Sequence, residues 1–322
     1  MPVTRTAITP APLAATLAIA VACLAPPAAA QCGAPYLAPS FCDANGDMLA
    51  DAPQNKQQWI DPDPLVVADV ATSYMHTQAE HAQRFVRHLE SALHRKVKYF
   101  VARDYTDLLA AYKAQRVHLL TINAGALEQA VRCDGFVPLV QAVGEQGEVV
   151  GYQMEFLVPK RSAITALGQL KGHTITFVDK HSASGFVLPY AILSSQFGML
   201  AGRDFKADYS GRHDISVMGV AGGAYEAVAI SSIVRQDLLR DKLFDPDSVR
   251  VIYTSGMIPY PPWGVSHRLQ PQLAQRIAQA MVSFPGTISD RRGMRYRAAN
   301  YRADWAAMRA LGGAREGAPK CD

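Results

Sequence analysis

Asp179-Lys-His-Ser-Ala-Ser-Gly-Phe-Val-Leu-Pro-Tyr190 is the stretch on which the reading of this chain turns. It follows an apolar, strand-like run, Thr174-Ile-Thr-Phe-Val178, and opens an apolar helical pattern. Ser182, Ala183, Ser184 and Gly185 therefore stand at a strand-to-helix turn. Such a turn aims free backbone N–H groups and the positive end of the helix dipole at one spot, where small hydroxyls add donors. Ser and Gly are also ordinary helix caps, so one turn by itself is ambiguous. Asn123-Ala124-Gly125 repeats the arrangement after the strand-like run Val117–Ile122. Two such turns can face each other across a cleft and hold a small anion between them.

Outward from these turns the chain alternates strand and helix. Leu65–Val70 reads as a buried strand. From His76 to His94, Ala79, Ala82, Phe85, Val86, Leu89 and Leu93 share one helical face. Val97–Val101 is a strand, Thr106–Gln115 a helix and Val117–Ile122 a strand, a βαβαβ order that argues a mainly parallel sheet. A second unit runs through strand 174–178, helices 185–197 and 213–221, strand Ala227–Ser231, helix 232–241 and strand Val249–Tyr253. Helices over Leu269–Phe284 and Asn300–Leu311 follow. Gly151–Pro159 and Tyr253–Pro259 read as two crossings between units. The expected architecture is α/β: two lobes with mainly parallel sheets, joined by two crossing strands into a clamshell. The lobes comprise 64–158 plus 259–322, and 159–258, after a lead-in over 31–63. Residues 286–298, rich in Arg and Gly, read as a solvated loop.

The first thirty residues have the form of a secretory signal peptide: Arg5, an apolar stretch Leu13–Leu24, and Ala28-Ala29-Ala30 before Gln31. The apolar stretch is short for a bilayer span and ends at Pro26-Pro27. An exported, periplasmic protein is expected. The formal net charge of +4 is small and scattered, with no Lys/Arg-rich run, which argues against nucleic acid as a partner. Cys32 and Cys42 suit a local bridge in an oxidising compartment. Cys133 and Cys321 pair, or Cys133 is a free thiol near the cleft able to take a soft ligand; four cysteines allow three full pairings.

Among further candidates, His213 follows Ser210-Gly-Arg212 at another helix start and can donate to an anion oxygen. Arg212 fits a surface loop capped by Asp214. Glu226, at a strand start, can meet an amine or a protonated ligand oxygen. Tyr74, Tyr105, Tyr260 and Trp263 are cleft-lining or packing aromatics. Asp43, Asn45, Asp47 and Asp51 carry calcium-loop spacing, but Gly is missing at the sixth position and Gln54 replaces the terminal Glu. An Asx-turn-rich segment competes with a structural calcium there. No cofactor is otherwise implied. Nucleotide-loop, zinc-protease and serine-elbow motifs are missing, so nothing nominates a nucleophile with its base.

Several ordered motifs carry a resemblance: Phe41-Cys-Asp-Ala-Asn-Gly-Asp47, Gly135-Phe-Val-Pro138, Phe177-Val-Asp-Lys-His-Ser-Ala-Ser-Gly-Phe186, Ser210-Gly-Arg-His-Asp214 and Ile258-Pro-Tyr-Pro-Pro-Trp263. Over residues 40–285 the chain resembles the phosphate, phosphite and phosphonate periplasmic binding proteins of ABC transporters. The resemblance implies a type II-like clamshell, closing on a tetrahedral oxyanion and presented to a membrane permease, with no catalysis. It places ligand contacts on Ser182-Ala183-Ser184-Gly185, His213 and the neighbourhood of Tyr74, with Ala183 standing where the family has Thr. A related branch of arsenite-binding sensors, which signal to a membrane histidine kinase, makes Cys133 the alternative ligand group. An exported enzyme acting on a phosphorylated substrate is the third reading. A protein that must open and close is expected to be a monomer.

Overall fold

The structure, a computed structural model, describes residues 1–2, 36–70, 75–287, 293–313 and 321, with 75–79 and 311–313 described by backbone alone. Apart from its first two residues the signal-peptide segment lies outside the described residues, as do Cys32 and Tyr74.

Residues 32–322 form one compact unit built on two sheets. The first contains β1 (Leu65–Val70), β2 (Val97–Ala102), β3 (Leu119–Thr121), β4 (Phe136–Val143), and two strands from the C-terminal part of the chain. The second contains β5 (Gly151–Pro159), β6 (Thr174–Phe177), β7 (Lys206–Tyr209), β8 (Ala227–Ser231) and β9 (Val249–Pro259). After β9 the chain returns to the first sheet as β10 (Trp263–Ser266) and later β11 (Arg295–Ala298), giving the orders β11-β4-β10-β3-β1-β2 and β7-β6-β8-β5-β9. The chain thus passes from one sheet to the other after β4 and back after β9.

Both sheets are mixed. β1 runs parallel to β2 and β3, and β6 parallel to β7 and β8, whereas β10, β4 and β11 and the β5–β9 pair are antiparallel. Parallel pairing is confined to the strands that a helical crossover links, as chain geometry requires. Strand Arg295–Ala298 corrects the loop expected over 286–298. It is short and charged, and it pairs because β4 offers an open edge, with Arg295 opposite Val143 and Ala298 opposite Val140.

The helices are α1 (Met75–Leu93), α2 (Tyr105–Lys113), α3 (Ala124–Asp134), α4 (Leu188–Phe197), α5 (His213–Ala221), α6 (Ser232–Arg240), α7 (Pro271–Val282), α8 (Tyr301–Asp304) and α9 (Ala306–Gly313). Phe85, Leu89 and Leu93 of α1 pack with Ile277 and Met281 of α7 beneath the first sheet. Val217 and Val220 of α5 and Val234 and Leu238 of α6 cover one face of the second. A third apolar cluster is continuous from Ala68, Leu120 and Leu127 in the first lobe, through Ala124 and Ala183, to Phe156 and Phe177 in the second. Ala124 and Ala183 are each the first helical residue after a cap, so this cluster carries the two turns toward one another.

The polar lead-in has a local explanation. Asp43 accepts N–H bonds from Asp47 and Met48, Asn45 one from Asp47, Asp47 one from Leu49, and Asp51 one from Ala44. The oxygens read as calcium ligands are thus engaged in Asx-type turns. Among the described residues no group of three or more His, Cys, Asp or Glu converges as a metal site. Nor is any described helix long and apolar enough to cross a membrane.

Cys133 is bonded to Cys321, and Cys42 is also disulfide-bonded. Cys133 therefore offers no thiol to a ligand. It stands ten residues along α3 from Asn123, about 15 Å at helical rise, so the bridge fastens the C-terminus to the far end of that helix.

Candidate functional site

Each turn is built on its own cap. Asn123, extended at φ −64° and ψ 155°, caps α3, and its Oδ1 accepts the Gly125 N–H at 2.8 Å. Ser182 caps the second turn, and its Oγ accepts the Gly185 N–H at 3.0 Å. That helix starts with a π-turn over Ala183–Val187, two residues earlier than the hydrophobic pattern suggests, because Phe186 and Val187 both donate to the Ser182 carbonyl. Gly185 is required there: a Cβ would stand 2.5 Å from the Val178 Cβ and 2.8 Å from Ser182 Oγ.

The two turns meet. The Ala183 N–H donates to Asn123 Oδ1 at 3.1 Å, so one amide oxygen collects a donor from each lobe. Gly125 permits the approach, since a Cβ on it would lie 2.7 Å from the His181 carbonyl oxygen and 2.8 Å from the Ala183 nitrogen. At the rim, Thr106 Oγ1 of α2 reaches Asp179 Oδ2 at 3.4 Å. Burial pushes Asp179 up, but hydrogen bonds from the His181 side chain and backbone outweigh it and hold the carboxyl below its ordinary range.

His213, the first residue of α5, is buried behind Ser182. The Ser231 N–H donates to its Nδ1 at 3.1 Å, which makes Nδ1 the acceptor and leaves the proton on Nε2. Nε2 faces Ser182 Oγ at 3.3 Å. Burial lowers the imidazole to about 4, with Asp214 pulling weakly the other way, so His213 is neutral at pH 7. Ser182 Oγ thus accepts from Gly185 and from His213, and both lone pairs are used. Its own proton is left to donate.

Among the described residues, two polar atoms in this region are buried without a partner: Ser184 Oγ, whose residue is 1% exposed, and Asn123 Nδ2, whose residue is 5% exposed. The Asn123 amide is oriented by two backbone N–H groups that both require an oxygen, so the unpartnered atom is its NH2. Leaving such groups buried and unsatisfied costs about 1–3 kcal/mol each. Lying between two helix N-termini, they are donors an acceptor-rich ligand could satisfy.

Tyrosines complete the surroundings. Burial pushes Tyr105 far above its ordinary value, reinforced by Tyr152, Asp69 and Asp179 and opposed by the Ser182 hydroxyl. Tyr152, on β5, is pushed by burial up to about 12; the Ser184 hydroxyl lies close enough to lower it but makes no hydrogen bond to it. Both phenols remain neutral donors. Tyr260 lies with its ring centroid 5.9 Å from that of Tyr152. Trp263 belongs to the core, its centroid 5.6 Å from Phe85. Asp69, at the C-terminal end of β1, is raised by burial to about 7, and a hydrogen bond from the Val70 N–H at 2.7 Å pulls only weakly the other way.

The structure therefore brings together Ser182, Ala183, Ser184, Gly185, His213, Asn123, Ala124 and Gly125. It separates Glu226 from them. Glu226 precedes β8, at the strand's N-terminal edge, and accepts from the Thr174 N–H at 2.9 Å and pairs with His173 at 3.0 Å. Its expected ligand role is corrected on that ground, since the converging turns follow the C-terminal ends of the strands. Arg212 pairs with Asp214 at 2.5 Å, as a surface loop implies. Sequence reading missed Asp69, Tyr152 and Ser231. The first two had a signal: a polar residue at the end of a buried strand, and an aromatic at the start of the strand that enters the second sheet.

Residues 70–306 match the family of ABC transporter phosphonate periplasmic substrate-binding proteins. The chain belongs to this family. The phosphate-import protein PhnD of Mycolicibacterium smegmatis is 23% identical over 237 residues, which cover 71% of this chain and 74% of that protein. PhnD1 from Prochlorococcus marinus, solved with methylphosphonate, superposes with a TM-score of 0.65 at 17% identity, over 79% of this chain and 98% of that one. A binding-protein component of an ABC phosphonate transporter from Pseudomonas aeruginosa gives 0.67 at 17% identity, over 78% and 86%. These structures share the two-lobe fold of this family member.

Proposed function

We propose that this protein is an exported, periplasmic receptor that captures a small tetrahedral oxyanion of the phosphonate or phosphite class for an ABC importer. The observation that carries the reading is the pair of unpartnered buried groups, Ser184 Oγ and Asn123 Nδ2, between two facing helix N-termini. An oxyanion offers lone pairs in several directions, and these groups, with the Ser182 hydroxyl, supply donors from both sides.

Each residue has a part in capture. His213 stays neutral and donates to Ser182, which fixes the serine hydroxyl as a donor toward the ligand. Ser184 and Tyr152 add hydroxyls, and the helix ends contribute about half a positive charge each without any titrating side chain. Ligand contacts from both lobes favour the closed arrangement, and that shape is what the permease recognises. The family consists of substrate-binding proteins, and here too the chemistry is recognition, with a monomer handing cargo to the membrane partner.

The test is a calorimetric titration of the Ser182→Ala, Ser184→Ala double variant with methylphosphonate. Loss of two hydroxyl donors is expected to weaken binding by about 2–6 kcal/mol. Unchanged affinity would place the ligand elsewhere.

A further inference from the structure

We infer that Asn123 couples ligand capture to lobe closure through the two ends of one amide. Oδ1 ties the lobes by accepting from Gly125 and Ala183, and Nδ2 donates to the oxyanion. The inference rests on the functional reading above but goes further, because it makes a single side chain both a specificity contact and the fastening.

The two halves are geometrically linked. The Asn123 amide is planar, so fixing Oδ1 with N–H donors at 2.8 and 3.1 Å also fixes the direction of Nδ2. The Ala183 donor belongs to the second lobe, so the orientation of Nδ2 is complete only when the lobes meet. A closed cleft therefore fixes with two bonds a donor that an open one holds only through the Gly125 cap. In the other direction, a ligand oxygen bound to Nδ2 holds Oδ1 pointing at Ala183. The absence of a Cβ at Gly125 is what lets the tie form at this distance. Asn serves better here than its relatives in size. Asp keeps the cap and the tie but puts an acceptor, with a charge, where the ligand needs a donor. Ser caps but is too short to span both tasks.

Three proteins distinguish the parts: wild type, Asn123→Asp and Ala183→Pro, each titrated with methylphosphonate and followed by stopped-flow dissociation and small-angle scattering. Asn123→Asp is expected to keep the cap, since Asp caps as well as Asn, to lower the thermal midpoint through its buried, unpartnered carboxylate oxygen, and to lose at least about 100-fold in affinity from like-charge repulsion. Ala183→Pro removes the N–H that makes the tie and sets a ring carbon against Oδ1. Pro is well tolerated at the first helical position, and Ser182 before it is already extended at φ −73°, ψ 124°. This variant keeps Nδ2 and is expected to lose ligand-induced compaction and release methylphosphonate at least about tenfold faster. Wild-type-like affinity in Asn123→Asp, or wild-type compaction in Ala183→Pro, overturns the inference while leaving the functional reading in place. If the wild type itself takes up no oxyanion, the functional reading falls first and the coupling falls with it.

Discussion

Lowering the pH should weaken the fold through His213 before most carboxylates are touched. In the folded protein the imidazole is held at about 4 by burial, against 6.5 for the free side chain. Between those values the unfolded chain binds a proton that the folded site refuses. Stability therefore falls as pH drops from about 6.5 to about 4 and levels off below. At 1.36 kcal/mol per pH unit, a gap of about 2.5 units is worth about 3 kcal/mol. The assay is urea unfolding of wild type and His213→Gln at a series of pH values from 7.5 to 4. Subtracting one stability curve from the other isolates the histidine from the carboxylates common to both. The stability of wild type relative to the variant should shrink by about 3 kcal/mol across the window. A pH-independent difference, or a gain for wild type in acid, would refute the neutral, Ser231-anchored imidazole and with it the derivation of Ser182 as a donor.

Three other outcomes follow from the same geometry. Gly185→Ala should destabilise by about 1–3 kcal/mol by urea unfolding, because its Cβ would meet Val178 at 2.5 Å. Cys133→Ser should lower stability by up to about 5 kcal/mol, the loop-closure value for a separation of 188 residues, while anion affinity stays put because the bridge is at the far end of α3. Asp69→Asn should stabilise the protein more at pH 8 than at pH 4. The carboxyl is raised from 3.8 to about 7 in the fold, so wild-type stability falls as pH climbs through that interval; a pH-independent gain would show that Asp69 is not held protonated.

Much of the scaffold was legible because strongly apolar segments leave little choice. Leu65–Val70 and Ala227–Ser231 are strands with the bounds their runs suggest, since both are interior strands with mostly apolar sequences. Lys206–Tyr209, Trp263–Ser266 and Arg295–Ala298 were not legible. Each is four residues long, and its pairing is supplied by a neighbouring strand rather than by its own pattern. The two turns could be read as helix starts from Ser182 and Asn123, but their contact could not. That contact depends on the absence of a side chain at Gly125, which in sequence looks like any helical glycine. Glu226 misled because a carboxylate at a strand start says nothing about which edge of the sheet it occupies; His173 and the Thr174 N–H decide that. Cys133 was open between thiol and bridge until its partner, nearly two hundred residues later, was seen beside it.

The most direct test of the central claim is a calorimetric titration of the mature protein with phosphate, phosphite, methylphosphonate, 2-aminoethylphosphonate, sulfate and arsenite, under reducing and oxidising conditions. Tight binding of one phosphorus oxyanion, unaffected by reduction, is the predicted result. Binding of arsenite alone, and only after the disulfides are reduced, would contradict it.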